Sequence, residues 1–104
     1  MEPARSEVQI HEGGVRVTRW TFDVGQHTGI HRHEVPYVVV PVVSGRMGVR
    51  VGDDVTYHDI VAGESYFRAA GAEHDVYNAG AAPFAFVEVE LVGENAQSGK
   101  NKDI

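Results

Sequence analysis

The chain has no cysteine among its 104 residues, which removes disulfides, thiolate metal sites and cysteine nucleophiles together. Its stability must come from packing. It also lacks any run approaching the ~18 apolar residues of a membrane-spanning helix. The opening Met1-Glu2-Pro3-Ala4-Arg5 carries no apolar stretch of the secretory kind, so the expected location is cytoplasmic. Cationic charge is scarce and scattered: nine Lys and Arg stand against 15 Asp and Glu, for a net charge of −6. Such a surface repels phosphate backbones, and no nucleic-acid partner is expected. Helical periodicity is nearly missing as well. At this length there is room for a single domain.

Short runs of period 2 or of β-branched residues recur from one end to the other, separated by turn residues. They predict strands over Val8–His11, Val15–Asp23, Tyr37–Val43, Met47–Val51, Val55–Ile60, Tyr66–Phe67, His74–Tyr77 and Phe84–Val92. The breaks carry turn chemistry, as at Gly13-Gly14, Ser44-Gly45, Gly52-Asp53-Asp54 and Asn78-Ala79-Gly80. Many short strands at this spacing read as an all-β barrel or sandwich. Pro36 and Pro41 flank Val38-Val39-Val40, and a proline cannot donate to a ladder, so a bulge is expected there. The domain is expected over residues 1–92. Residues 93–104, with few apolar side chains, are expected to form a flexible tail.

The chemistry lies in the histidines. His31 and His33 are two apart, and on a strand such side chains project to one face, where both imidazoles can reach one ion. Alone, a His-x-His pair is as readily a surface or packing feature. His74 opens a later strand after a glycine-containing turn, and a closed barrel can bring it against the first pair.

With their surroundings, these histidines resemble the two motifs of the cupin superfamily, G-x5-H-x-H-x3-4-E-x6-G and G-x5-P-x-G-x2-H-x3-N. Gly25, His31, His33 and Gly45 fill the first; Gly63, Gly71, His74 and Asn78 fill the second, with Ala69 where proline is usual. The segments Thr28–Pro41, Ser65–His74 and Phe86–Leu91 are similar to a group of small mono-domain cupins carrying the name BauB. The resemblance implies an all-β jelly-roll barrel (double-stranded β-helix) and one divalent metal ion, Fe, Zn, Ni or Mn, on His31, His33 and His74. The family's glutamate ligand should fall where Tyr37 and Val38 stand, and neither supplies a carboxylate. A three-histidine set leaves coordination positions open, as catalysis requires.

Other residues are candidates with plain alternatives. His27 shares strand parity with His31 and is a possible extra ligand, unless Gly29 breaks the alternation. Tyr37 shares parity with His33; it is a candidate catalytic phenol or else a wall aromatic. Arg68 and Arg19 are possible binders of a substrate carboxylate if they point inward, and exposed arginines otherwise. Glu34, His11 and His58 are expected at the surface, and the Asn78 amide is expected to tie down a turn. In the last strand Ala85, Val87, Val89 and Leu91 are expected in the core, leaving Phe84 and Phe86 for a homodimer face, with Trp20 and Phe22 as a second choice.

Two functions from different classes fit. One is a metal-dependent enzyme of dioxygenase, isomerase or lyase type acting on a small polar or carboxylate metabolite. The other is a non-catalytic binding or sensing module for a small molecule.

Overall fold

The computed structural model describes residues 1–93. The tail expected over 93–104 lies outside them except for Gly93, whose N–H donates to the Gly14 carbonyl at 3.1 Å. The chain is all-β, with nine strands: β1 (Arg5–Glu12), β2 (Val15–Phe22), β3 (His31–Arg32), β4 (Tyr37–Val43), β5 (Gly45–Val51), β6 (Asp54–Ile60), β7 (Tyr66–Arg68), β8 (Glu73–Asn78) and β9 (Phe84–Glu90). They form two antiparallel sheets, ordered β1-β2-β9-β4-β7 and β3-β8-β5-β6. Among the described residues there is no helix, hence none long and apolar enough to cross a membrane.

Alternation decides what each strand buries. From the five-stranded sheet Phe22, Tyr37, Val39, Phe84 and Phe86 point inward, and from the other sheet Met47 and Val76 meet them. This single cluster is the core. Within it the Phe22 and Phe84 rings sit 4.7 Å apart. Gly45 has no side chain because the Phe84 ring occupies that space: a Cβ there would lie 2.7 Å from Phe84 Cβ. The expected bulge is present, as the β4–β9 register shifts between Pro41 and Val43.

The last strand corrects the sequence reading. Phe84 and Phe86 are buried at 1% and 2% exposure and Leu91 is 40% exposed, while Ala85 is buried as expected, at 2%. The inward set is therefore Phe84, Phe86, Glu88 and Glu90. Trp20 and Phe22 pack at the core too, so none of the four aromatics forms an outer face. The exposed strand is instead β1, an edge strand whose eight residues are all exposed.

Candidate metal centre

Segment 25–33 runs antiparallel to β8 and delivers the first two histidines. Asn78 N–H donates to the Gln26 carbonyl at 2.9 Å, Thr28 N–H to Val76 at 2.8 Å, and His33 N–H to Ala72 at 2.8 Å. His27 is opposite Tyr77, whereas His31 is opposite His74. The register therefore slips by one residue between them, at Gly29, whose φ of 85° suits glycine. A slip of one exchanges the faces. His31 consequently shares the inner face with His74, and His27 falls on the outer face beside Asp75.

His27 is thus not brought to the other histidines. Its Nδ1–H donates to Asp75, with both carboxylate oxygens at 3.0 Å. Asp75 is buried and also accepts from Gly29 N–H at 3.1 Å, with Arg50 at 3.6 Å. These contacts clamp the loop bearing His31 onto the strand bearing His74.

His31, His33 and His74 converge, with one ring nitrogen of each lying within 4.8 Å of the other two. Their ring centroids are 4.7 to 5.1 Å apart. His31 Nδ1–H donates to the Gly29 carbonyl at 2.9 Å, which leaves the Nε2 lone pair free on the inner side. His31 Nε2 and His33 Nε2 are 3.0 Å apart, the spacing that two ligand bonds of about 2.1 Å at right angles to one ion subtend. Burial first, then the positive charge His31 takes on when protonated, lowers His33 to about 4. His74 is lowered to about 4 by the same two causes, with His33 adding to it. Near neutral pH both rings are uncharged, as ligation requires. Donor type, spacing and protonation all fit a divalent ion.

Tyr37 lies flat on His33, with centroids 3.9 Å apart and planes 21° apart. Burial, followed by the nearby Glu88 carboxylate, pushes its phenol up to about 12, so it remains a neutral hydrogen-bonding group. It lines an interior cavity of about 90 Å³ whose walls include Val39, Met47, Val76 and Phe86, with His74 and Glu88 at the polar end. Arg68 stands at this cavity and packs over the Tyr66 ring at 4.6 Å. His58 is exposed, yet it reaches the cavity from β6. On the other side of the trio a groove of about 310 Å³ exposes His31, His33, Thr18, Glu88 and Glu90.

The remaining candidates are placed as follows. Arg19 is opposite Val87, on the outer face away from the cavity. Glu34 is exposed and pairs with Arg32 at 3.3 Å, and His11 is exposed on β1. Asn78 ties a turn, its amide donating to the Phe22 and Ala82 carbonyls at 3.2 and 2.9 Å.

Sequence reasoning missed the acids of β9. Glu90 accepts a bidentate pair from Arg16 at 2.7 and 2.9 Å. Glu88 is raised to about 7, chiefly by burial and then by Glu90, while a hydrogen bond from Trp20 works the other way. Its Oε2 is 3.9 Å from His33 Nε2; because His33 is neutral, this approach is not an ion pair. The signal was available: both acids share parity with Phe84 and Phe86.

Fold, motifs and converging histidines define the class, and residues 18–90 match the Cupin domain family: the chain is a member of the cupin family. It is 44% identical over 84 residues to the beta-alanine degradation protein BauB of Pseudomonas aeruginosa, covering 81% of this chain and 88% of that protein. Its structure resembles the crystal structure of a cupin domain from Bordetella pertussis Tohama I, with a TM-score of 0.82 and 39% identity over 86% of this chain and 94% of that one. A protein from Klebsiella pneumoniae with a double-stranded β-helix domain is similar at a TM-score of 0.71 and 25% identity, over 88% of this chain and 78% of that one.

Proposed function

We propose that this cupin binds one divalent ion on His31, His33 and His74 and acts with it on a small polar or carboxylate metabolite. The observation that carries the reading is the convergence of three imidazole nitrogens within 4.8 Å, two of the rings being held neutral by burial. When bound, a divalent ion supplies Lewis-acid or redox chemistry at its open coordination positions. The chain's own residues do the rest. The cavity of about 90 Å³ admits only a compact molecule, and its walls are largely apolar apart from the groups around His74 and Glu88. Arg68 offers the guanidinium for a carboxylate at this cavity. Tyr37, neutral and fixed against His33, offers a hydroxyl at the same wall. The name of the Pseudomonas relative, which refers to beta-alanine degradation, supports a carboxylate derived from an amino acid.

Metal analysis of untagged wild-type protein and of His74→Ala tests the reading. Near-stoichiometric metal in the first and its loss in the second are expected. Wild-type content near zero after reconstitution with Fe, Zn, Ni and Mn would overturn it and leave the binding module. The homodimer is proposed on β1, where Val8 and Ile10 are 58% and 46% exposed.

A further inference from the structure

Three imidazoles bring no negative charge to a divalent ion, and a cation partly withdrawn from water is stabilised by a carboxylate close by. Two carboxylates reach the inner face from β9. Glu90 is already engaged, since Arg16 holds both of its oxygens. Glu88 is differently placed. Its side chain is 12% exposed, and among the described residues it makes no ion pair with a lysine or arginine. The Trp20 indole N–H, from β2, tethers it. Its Oε2 stands 3.9 Å from His33 Nε2, and two ligand bonds of about 2.1 Å to one ion bridge up to about 4.2 Å.

We propose that Glu88 is the fourth protein ligand of the ion, completing a set of three histidines and one carboxylate; the inference rests on the three-histidine reading above. The positions where the family's carboxylate should fall hold Tyr37, which is committed to stacking on the His33 ring, and Val38. Neither carries a carboxylate. The neighbouring strand supplies it instead, from the position opposite Val39. Glu88 lies outside the tight trio and reaches the ion by rotation of its own side chain, with Trp20 limiting the swing. In an octahedral ion four protein ligands leave two positions open rather than three.

Cobalt(II), titrated into metal-free protein with a competing chelator and followed by its visible absorption bands, provides the test. Wild type is expected to bind one ion. Glu88→Gln should bind it more than about 100-fold more weakly, beyond the roughly 10–100-fold that loss of an outer partner costs, and with shifted bands. Glu88→Asp, which keeps the charge on a shorter stem, should also shift the bands and covers the case in which the amide variant does not fold. Trp20→Phe should weaken binding about 10-fold. Glu88→Gln affinity within threefold of wild type, or weaker binding with unchanged bands, overturns the inference while leaving the three-histidine centre standing. A wild type that binds no cobalt overturns both.

Discussion

The two ends of the barrel's inner face solve opposite problems with the same strands. At one end β2 and β9 place Phe22, Phe84 and Phe86 in mutual contact, with ring centroids 4.7 to 6.2 Å apart. Two pairs of residues further along β9, the same parity carries Glu88 and Glu90 instead, beside three histidines and Tyr37. The phenylalanine end gains by expelling water, about 25 cal/mol for each Å² of apolar surface buried. The acid and histidine end gives up stability: Glu88 is buried in a form that water would charge near neutral pH, and His33 and His74 resist the charge that water would give them below about pH 6.5. The difference shows which end folds the protein and which end the fold pays for.

The largest effect expected from breaking this division is His74→Ala, which should abolish stoichiometric metal binding as read by elemental analysis while the far-ultraviolet circular dichroism stays that of wild type. Phe84→Ala should do the reverse. It should lower stability by about 3–5 kcal/mol in denaturant melts and leave one ion per folded chain. A metal-free Phe84→Ala protein that still folds would show that the two ends are not independent.

Glu88→Gln sharpens the contrast. The folded value of about 7 lies above the ordinary carboxylate value of 4.5, so this group's contribution is complete below 4.5 and is lost as pH rises through 7. At pH 8 the metal-free variant should therefore be more stable than metal-free wild type, by about 1–3 kcal/mol, even as it binds metal less well. His33 and His74 have the other sign: folded values near 4 lie below the ordinary imidazole value of 6.5, so their contribution is present above 6.5 and is lost as pH falls toward 4. Metal-free wild type should be most stable at about pH 6–7, as thermal melts across pH 4–9 will show. A flat profile would mean that these groups are not desolvated in the metal-free protein. The smallest effect is expected from Ile10→Glu on exposed β1, which should leave metal content unchanged and turn a dimer, measured by light scattering, into a monomer.

Most strands were legible because turn residues and alternation agree along the whole chain. The site was legible where parity is local: His31 and His33 need only the spacing of two, and the second motif supplied His74. What stayed hidden depended on faces. In β9 one parity reads Phe, Phe, Glu, Glu and the other Ala, Val, Val, Leu. Apolar content alone favours the second as core, yet the barrel buries the first, because its polar half borders a polar site. Glu88 was missed for that reason. The face taken by His27 was left open for a related one: a register slip is a backbone event, and only Gly29 hinted at it.

The slip at Gly29 has a consequence for reactivity. On an unbroken strand, residues 27 and 31 would face the same way, and a fourth imidazole would crowd into the centre beside His31. Added to the three histidines and Glu88, it would make five protein donors and leave an octahedral ion at most one position for an incoming molecule. One glycine with φ of 85° sends that imidazole to Asp75 instead, so the number of donors that meet at the histidine cluster is set by main-chain geometry at a residue that has no side chain.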